Sequence, residues 1–314
     1  MKRGMFINTI KANCSIYESG LMIYDVLKSS EEYTLDYVES DAGLTQYYKY
    51  GTPPYDFCIV NWHPYTLAIP QHLLLQIPAK IAIVVEVVPT QREYTPMTPD
   101  LFDAYAIIDP TREKYGNYFP LPRPILRSAT KPLLDKDKLV LGSFGLYSES
   151  FKHEKRFGEI VEAANNSGRD SIVRINLPVP KYTSTSLVTI KSYGDWLKSI
   201  AKSNVEVIVT HDYMTRDQLV EWLSEHNMNC FPYYRERAGL AAVTDQSISA
   251  GRAIMTTECN TFRHLHKYIS SYPKQTYLQL LESSVSGVKQ MQEDWSSENF
   301  IKGFNDMLRE KKIL

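Results

Sequence analysis

Short apolar stretches alternate with amphipathic ones up to about residue 125. The run from Lys80 to Val88 is nearly continuously apolar, as expected of a central parallel strand that is covered on both faces. Strands separated by helical stretches are typical of βαβ units and of a doubly wound sheet. In this part we predict a helix at Ser19–Lys28 and strands at Met5–Ile10, Tyr33–Glu39, Asp56–Asn61, Lys80–Val88 and Ala104–Asp109.

Four prolines interrupt this alternation, at Pro120, Pro122, Pro124 and Pro132. Proline lacks an N–H donor and restricts the residue before it, so the segment is predicted to be an extended linker. The alternation then restarts. The predicted strands are Lys138–Phe144, Ser171–Leu177, Val205–Thr210, Met228–Pro232 and Ala253–Thr257. The predicted helices are Lys155–Asn165 (approximate bounds), Ala241–Ala250, Tyr277–Met291 and Glu298–Lys311. A further helix is predicted to start with the capping-box sequence Thr215–Gln218.

The restart after the prolines predicts two domains, with a boundary near residue 130. A chain of 314 residues is comfortable for two domains of about 150 residues each. The predicted fold class is therefore α/β, with two doubly wound Rossmann-like domains facing a cleft, since ligands of open α/β sheets bind at the carboxyl ends of the strands.

The composition is that of an ordinary soluble protein, with 43% apolar and 23% charged residues. A formal net charge of −1 argues against a general nucleic-acid binder. The N-terminal apolar run is too short for a signal peptide, and no stretch approaches the 18 or more apolar residues of a membrane span. We predict a cytoplasmic protein. Contact of its loops with the inner face of the membrane is an alternative that stays open.

Two residue types call for a choice between interpretations. The 22 tyrosines either stack on sugars or bases or replace phenylalanine in half-buried positions. The four cysteines lie far apart, and Cys58 and Cys230 fall in apolar runs, which predicts buried free thiols rather than disulfides or a metal pair.

The most informative segment runs from Phe231 to Met255. It indicates a strand, a charged turn that contains Glu236, a helix opened by Gly239, and then Gly251 before another strand. The positive end of a helix suits a phosphate group. This pattern resembles the donor-sugar segment of retaining glycosyltransferases with the GT-B fold, especially glycosyltransferase family 4. The positions that fit are Pro232, Glu236, Gly239, Leu240, Ala250 and Gly251.

The resemblance implies an acceptor-side domain at 1–130 and a donor nucleotide-sugar-binding domain at 131–285. It also implies a C-terminal helix at 286–314 that packs back on the first domain. The sequence from Gly142 through Ser143 and Gly145 to Leu146 matches the family's glycine loop, and Lys155 matches the lysine that neutralises the donor diphosphate. Many family members have an arginine where this chain has Leu146, a loss for which Lys152 or Arg156 could compensate.

Glu236 matches the first glutamate of the family's pair, which lies near the donor sugar. The alternative interpretation is that Glu236 forms a surface ion pair with a neighbouring arginine. Gly239 and Leu240 would offer backbone N–H groups to the phosphates. The second glutamate, which holds the ribose, has no counterpart. Counting from Glu236 gives Thr244, and alignment on Gly251 gives Gln246. Asp245 is our first choice for that contact.

The remaining site candidates lie at predicted strand ends. His211 and Tyr213 follow the strand Val205–Thr210 and are candidates to contact the base, although a histidine at a strand end is often structural. On the acceptor side the candidates come from the loop after the first strand and from the third and fourth strands. They are Asn13, Ser15 and Glu18, then Trp62 as a sugar-stacking platform, His63, and Glu86, a charge in an apolar run.

The function predicted by the resemblance is a retaining hexosyltransferase that acts in polysaccharide biosynthesis. It moves a sugar from a nucleotide-diphosphate sugar to a saccharide or lipid-linked acceptor, with no metal and no other cofactor. No metal-ligand motif, P-loop or dinucleotide fingerprint is present in the sequence. Two alternatives stay open: a GT-B-like module that binds a glycan or nucleotide without transfer, and an epimerase-type enzyme that acts on a nucleotide sugar.

Overall fold

The computed structural model describes residues 1–10, 14–39, 55–63, 77, 79–85, 101–126, 130–145, 156–179, 186–234 and 239–314. These ranges contain eleven strands and seven α-helices. The chain divides into two compact units. The first unit comprises Met1–Pro124, Ala238–Leu240 and Trp295–Leu314, and the second comprises Ile125–Arg237 and Ala241–Asp294.

The first unit is built on a six-stranded parallel sheet with the order β2-β1-β3-β4-β5-β6. All six residues of β3 are buried, as are all four of β5, because both faces of the sheet are covered. The strands are β1 (Lys2–Asn8), β2 (Tyr33–Glu39), β3 (Phe57–Trp62), β4 (Lys80–Val84), β5 (Ala104–Ile107) and β6 (Tyr118–Pro120).

Strand β6 corrects the predicted start of the linker. Tyr118 to Pro120 pair with β5, and the N–H of Leu121 donates to the carbonyl of Ile107 at 2.8 Å. Proline is tolerated in a sheet at an edge strand, where its missing donor costs no ladder bond. The segment is extended as predicted, but its first residues complete the sheet and bury Leu121.

Two helices of the first unit begin and pack according to clear local signals, and polar contacts tie the second of them to the chain that follows the first. Helix α1 (Ser15–Leu27) is capped by Cys14, whose Sγ accepts from the N–H of Tyr17. The last helix, α7 (Ser297–Glu310), buries Phe300, Phe304 and Leu308, which recur at helical spacing on one face. Beyond α1, Glu32 accepts from Asn305 Nδ2 at 2.7 Å and from Arg309 Nη2 at 2.5 Å, which ties α7 to the chain between α1 and β2.

The second unit is built on a five-stranded parallel sheet with the order β11-β10-β7-β8-β9. Its strands are β7 (Leu139–Phe144), β8 (Ser171–Asn176), β9 (Val205–Thr210), β10 (Met228–Phe231) and β11 (Ala253–Thr256), and its helices are α2 (Arg156–Asn166), α3 (Leu187–Ser199), α4 (Arg216–Ser224), α5 (Val243–Ala250) and α6 (Tyr277–Asp294).

Helix ends in this unit follow local sequence signals. The predicted capping box of α4 is present, with Thr215 and Gln218 bonding each other's backbone. Helix α5 ends at Gly251, which has the left-handed φ of +68° that glycine adopts readily. Helix α3 was not predicted, because β-branched residues in its first turn and Gly194 lower its intrinsic helix propensity.

The segment that enters the second unit is held firmly at its start. The N–H of Lys131 donates to Ser224 Oγ at 2.8 Å, and Arg252 donates to the carbonyls of Ser224 (2.7 Å) and Lys131 (2.8 Å). The N–H of Leu134 donates to the carbonyl of Glu225. These bonds fix the chain against the end of α4.

All four cysteines are free, and Cys58 and Cys230 are buried as predicted. Burial raises the pKa of the Cys58 thiol to about 12, so it is an inert core group. Among the helices that the structure describes, none has both the length and the apolar content needed to cross a bilayer.

Candidate functional site

The strand order of the second unit locates its ligand-binding edge. The chain runs from β7 through β8 to β9 on one side, and then returns to place β10 on the other side of β7. The order therefore reverses between β7 and β10, and open α/β sheets bind ligands at the carboxyl ends of the strands at such a point. Phe144 ends β7 and Gly145 follows it, while Tyr233 and Tyr234 follow β10. Tyr233 Oη donates to the carbonyl of Phe144 at 3.0 Å.

Gly145 lies at this edge in a conformation that requires glycine. Its φ is +147°, which residues with a side chain rarely adopt, and its N–H donates to the carbonyl of Asn176 at 3.2 Å. A glycine here lets a ligand approach the backbone closely. Of the predicted glycine-loop residues, Gly145 is the one that the structure places at the strand end.

Gly142 and Ser143 lie inside β7 and are buried, not in a loop as the resemblance predicted. A methyl group built on Gly142 would lie 1.9 Å from His226 Nδ1, so this glycine makes room for a core histidine. The strand continues through Phe144 because it pairs with β8 as far as Asn176. The glycine at 142 is thus explained by packing.

Arg156 is the cation that the structure places at the edge between β7 and β10. It is the first residue of α2, and its Cζ lies 3.6 Å from the centroid of the Tyr234 ring. Tyr234 Oη donates to Glu159 Oε2 at 3.3 Å, one helical turn after Arg156. Arg156 Nη1 is buried and has no hydrogen-bond partner among the described residues. Burying an unbonded guanidinium N–H costs free energy that a bound anion would recover.

The pKa of Glu159 is raised, chiefly by burial, and the nearby Arg156 opposes that shift. Tyr234 is 41% exposed, so the stacked pair reaches the surface. The predicted catalytic residues Lys155 and Glu236, which adjoin this pair in sequence, lie outside the described residues, as do Lys152 and Leu146.

The ends of β8 and β9 are joined by a network around Asn176. Its Oδ1 accepts from Thr210 Oγ1 (3.0 Å) and from the N–H of Asp212 (3.1 Å), and its Nδ2 donates to the Asp212 carbonyl. His211 Nδ1 lies 3.1 Å from the carbonyl of Leu177, to which it must donate. Tyr213 is 52% exposed. The structure therefore places both predicted base contacts at the carboxyl edge, His211 held in one orientation and Tyr213 open to solvent.

Thr244 and Asp245 lie in the first turn of α5. Thr244 is fully buried, and its Oγ1 donates to the carbonyl of Ala241 at 2.8 Å and lies 3.0 Å from His264 Nε2. That hydroxyl is therefore used within the fold. Asp245 is also buried, at a helix end where the backbone dipole favours a negative charge. Gln246 Oε1 is buried and has no hydrogen bond to any residue in the described part of the chain.

Helix α5 begins later than the sequence indicated. The predicted start was near Ala241, opened by Gly239, but the first helical residue is Val243, with Ala242 as N-cap. The N–H of Ala241 donates to the carbonyl of Thr261 at 3.1 Å, which anchors the chain just before the helix. Gly239 and Leu240 therefore precede the helix, and Leu240 is buried.

The first unit has a reversal of its own, between β1 and β3. Asn8 ends β1, and Asn61 lies near the end of β3, and both are fully buried. Asn61 Nδ2 donates to Asn8 Oδ1 and to the carbonyl of Ile16, both at 2.7 Å. Asn8 Nδ2 donates to the carbonyl of Tyr17 at 3.1 Å. The two asparagines fix the start of α1 at the carboxyl edge of the sheet.

The predicted acceptor-side residues have different outcomes. Ser15 is exposed and Glu18 partly exposed at the start of α1, and His63 is partly exposed directly after β3. Trp62 is only 6% exposed, in a core cluster with Val60 and other apolar side chains, so the prediction of a sugar-stacking platform was wrong. Its strand is covered on both faces up to its last residue. Asn13 and Glu86 lie outside the described residues.

Sequence reasoning missed the three asparagines and Tyr234, the ring on which Arg156 is stacked. Asn8, Asn61 and Asn176 each end or nearly end an apolar strand. A polar amide at that place was a usable signal, because the carboxyl ends of neighbouring parallel strands meet. Among the described residues, the structure shows no group of three or more side chains suited to hold a metal ion.

Comparison with known proteins gives the fold. No family model matches the chain, and no curated protein matches it in sequence. Solved structures do match over nearly the whole chain. One is an α-glucosyltransferase in complex with UDP-glucose and DNA containing an abasic site, at 11% identity and a TM-score of 0.63, covering 98% of this chain and 99% of that one.

Two further structures are similar to the same degree. An α,α-trehalose-phosphate synthase (UDP-forming) from Burkholderia xenovorans, in complex with glucose-6-phosphate, has 10% identity and a TM-score of 0.60, covering 99% of this chain and 100% of its own. The N-terminal domain of trehalose-6-phosphate phosphatase from Candida albicans has 10% identity and a TM-score of 0.64, and the match covers 98% of this chain and 97% of that one. The predicted α/β class with two Rossmann-like units, the GT-B fold, is confirmed. Such low identity shows the fold alone.

Proposed function

We propose that this protein is a glycosyltransferase that moves a sugar from a UDP-sugar to a saccharide or lipid-linked acceptor. The observation that carries the proposal is Arg156, which is stacked on Tyr234 at the strand reversal of the second unit with a buried, unbonded Nη1. A diphosphate is the ligand that such a guanidinium suits, because it offers several anionic oxygens. Two solved structures with this fold are named for UDP chemistry.

Arg156 takes the role of the arginine that the family has in its glycine loop and that this chain lacks. The Tyr234 ring below the guanidinium restricts its motion, so less entropy is lost when the diphosphate binds. Lys155 adds a second positive charge from the adjacent position. Together the two cations stabilise the charge that develops on the departing diphosphate, which makes the reaction independent of a metal ion.

The rest of the donor is held by the carboxyl edge of the second sheet. His211 and Tyr213 contact the base, and Gly145 lets the backbone approach the phosphates. Thr244 does not hold the ribose, because its hydroxyl is bonded to Ala241 and lies against His264. Asp245 binds the ribose instead, with Gln246 as the alternative. Gly239 and Leu240 offer backbone N–H groups to the phosphates from the segment before α5.

Transfer retains the configuration at the anomeric carbon. The bond from that carbon to the diphosphate breaks, and the bond to the acceptor oxygen forms on the same face. The departing diphosphate takes the proton of the acceptor hydroxyl, so no protein nucleophile is needed. Glu236 contacts the hydroxyls of the donor sugar and stabilises its positive charge. Catalysis rests on positioning and electrostatics.

The acceptor is bound by the first unit, at the carboxyl edge that carries Ser15, Glu18 and His63. Asn13 and Glu86 remain candidates for the same role. The acceptor is a saccharide or a lipid-linked glycan of a polysaccharide pathway. We place the protein in the cytoplasm, with peripheral contact to the inner face of the membrane when the acceptor is lipid-linked.

One observation favours a second candidate, a GT-B-like module that binds nucleotide or glycan without transfer. The position that counts as the family's second glutamate is Thr244, and its hydroxyl is committed within the fold. A protein that has lost this contact retains a diphosphate site but loses control of the donor sugar.

A release assay separates the two candidates. The purified protein is incubated with UDP-glucose, UDP-galactose or UDP-N-acetylglucosamine, with methyl glycosides as acceptors and EDTA throughout, and free UDP and the product anomer are measured. A transferase releases UDP in an acceptor-dependent manner, and Glu236→Ala abolishes release while Glu162→Ala, which removes an exposed carboxylate of α2, leaves it unchanged. UDP binding without release from any donor would establish the binding module instead.

A further inference from the structure

A directed chain of hydrogen bonds crosses the carboxyl edge of the first sheet and ends on one carboxylate. Asn61 Nδ2 donates to Asn8 Oδ1, and Asn8 Nδ2 donates to Tyr37 Oη at 3.0 Å. Tyr37 Oη donates to Glu39 Oε1 at 3.4 Å, and Tyr17 Oη donates to the same oxygen at 3.0 Å. Every donor in this chain points toward Glu39, the last residue of β2.

The groups left open at the end of the chain are all hydrogen-bond acceptors. Glu39 Oε2 has no hydrogen bond to any residue in the described ranges. Tyr17 Oη already donates its proton to Glu39 Oε1, so it can only accept a further hydrogen bond. Tyr17 and Glu39 are both partly exposed. Burial raises the pKa values of Tyr17 and Tyr37, so both phenols stay protonated in the physiological range and keep donating to Glu39.

The cluster is held rigidly by aromatic packing. The Tyr37 ring lies 4.8 Å from that of Tyr24 and 6.3 Å from that of Phe6, centroid to centroid. Asn8 is fully buried beneath it and also bonds the backbone of α1. Glu39 ends the edge strand β2 and pairs in register with Asn8, the last residue of β1, which borders the strand reversal. A preorganised carboxylate at this carboxyl edge is the arrangement expected of a binding group, since its orientation does not have to be fixed when the ligand arrives.

We propose that Glu39 Oε2 and Tyr17 Oη bind two adjacent hydroxyls of a neutral saccharide, each of which donates one hydrogen bond. The class of ligand follows from the open groups. They accept hydrogen bonds and therefore suit a ligand that donates them, as sugar hydroxyls do, and the negative charge of Glu39 disfavours sugar phosphates. Under the proposed function this saccharide is the acceptor of transfer, so the inference rests on that function. It adds the acceptor's class, a neutral sugar with a vicinal diol.

The test is ligand-observed NMR on the full chain saturated with UDP. The probes are methyl α-glucopyranoside, methyl α-galactopyranoside and methyl α-mannopyranoside, with glucose 6-phosphate as the anionic counterpart. The wild-type protein is expected to bind at least one methyl glycoside and to bind glucose 6-phosphate about tenfold more weakly or not at all. Glu39→Gln should weaken the methyl glycoside about tenfold, because a hydrogen bond to a charged acceptor is lost.

Tyr17→Phe should weaken the same probe about fivefold, because one neutral hydrogen bond is lost and the ring is retained. Glu31→Gln, which changes an exposed carboxylate just before β2, serves as the matched control and should bind like the wild type. Thermal unfolding of each variant separates loss of binding from loss of fold, and Tyr17→Phe carries the test if Glu39→Gln fails to fold.

Three results would overturn the inference: no methyl glycoside binds, Glu39→Gln and Tyr17→Phe bind as tightly as the wild type, or glucose 6-phosphate binds better than the neutral sugars. UDP affinity is measured on the same samples. Retained UDP binding with any of these results refutes the acceptor site alone, whereas absent UDP binding in the wild-type protein refutes the proposed function.

Discussion

Replacement of Gly20 by alanine tests how tightly the carboxyl edge of the first unit is packed. Gly20 lies within α1, where alanine is ordinarily the better helix former by about 1 kcal/mol. A methyl group built on Gly20 would, however, lie 2.3 Å from Asn61 Nδ2 and 2.3 Å from Asn8 Oδ1. These two atoms are bonded to each other at 2.7 Å, so the methyl group would force them apart.

The magnitude follows from the competing contributions. Overpacking a close-packed interior costs about 1–3 kcal/mol. Breaking the bond leaves buried amide groups unsatisfied, for about another 1–3 kcal/mol. After the helix-propensity gain of about 1 kcal/mol, the net expectation is a loss of about 1–5 kcal/mol in the free energy of unfolding.

Urea unfolding followed by circular dichroism measures the loss, and hydrogen exchange locates it to α1, β1 and β3. Gly194→Ala in α3 is the matched control, because the atoms nearest to its methyl group would belong to the Val209 side chain, at 3.3 Å or more. It should change stability by less than about 1 kcal/mol. A Gly20→Ala protein as stable as the wild type, or more stable, would refute the packing of Asn8 and Asn61 against α1.

Three further predictions concern stability. Thr215→Ala removes the capping box of α4 and should cost about 1 kcal/mol, measured by urea unfolding; no change would refute the cap. Phe300→Ala leaves a cavity at a fully buried position of α7 and should lower the free energy of unfolding by about 3–5 kcal/mol in the same measurement. A loss below about 1 kcal/mol would contradict the burial of Phe300. Burial lowers the pKa of His226 to about 3, so the unfolded chain binds one more proton below about pH 6.5. Stability should fall by about 1.4 kcal/mol per pH unit from there toward pH 3, and His226→Asn should lessen this acid loss more than a change at exposed His266 does.

Much of the fold could be predicted from local pattern. The bounds of β2 and β9 agree with prediction, because both strands have an apolar period bounded by polar residues, and the capping box of α4 follows from its sequence. Strand β6 could not be predicted in the same way. It ends in Pro120, which a local rule assigns to a linker, and only pairing with β5 makes it a strand.

The site was less accessible to prediction, because its residues come from distant parts of the chain. Gly142 looks like part of a ligand loop until His226 is placed against it. Trp62 looks like a stacking platform until the core around β3 is known. Conversely, Arg156 was only one of two cations that could compensate for Leu146, and its stacking on Tyr234 after β10 could not be read from the sequence.

Calorimetric titration with UDP in the presence of EDTA tests the proposed diphosphate site at Arg156 most directly. GDP, ADP and CMP are titrated for comparison. The wild-type protein is expected to bind UDP with micromolar affinity, and Arg156→Ala at least tenfold more weakly. Arg169→Ala, which removes an exposed arginine of the same unit, should bind UDP like the wild type. Absence of UDP binding in the wild-type protein, or equal affinity in Arg156→Ala, would contradict the proposed site.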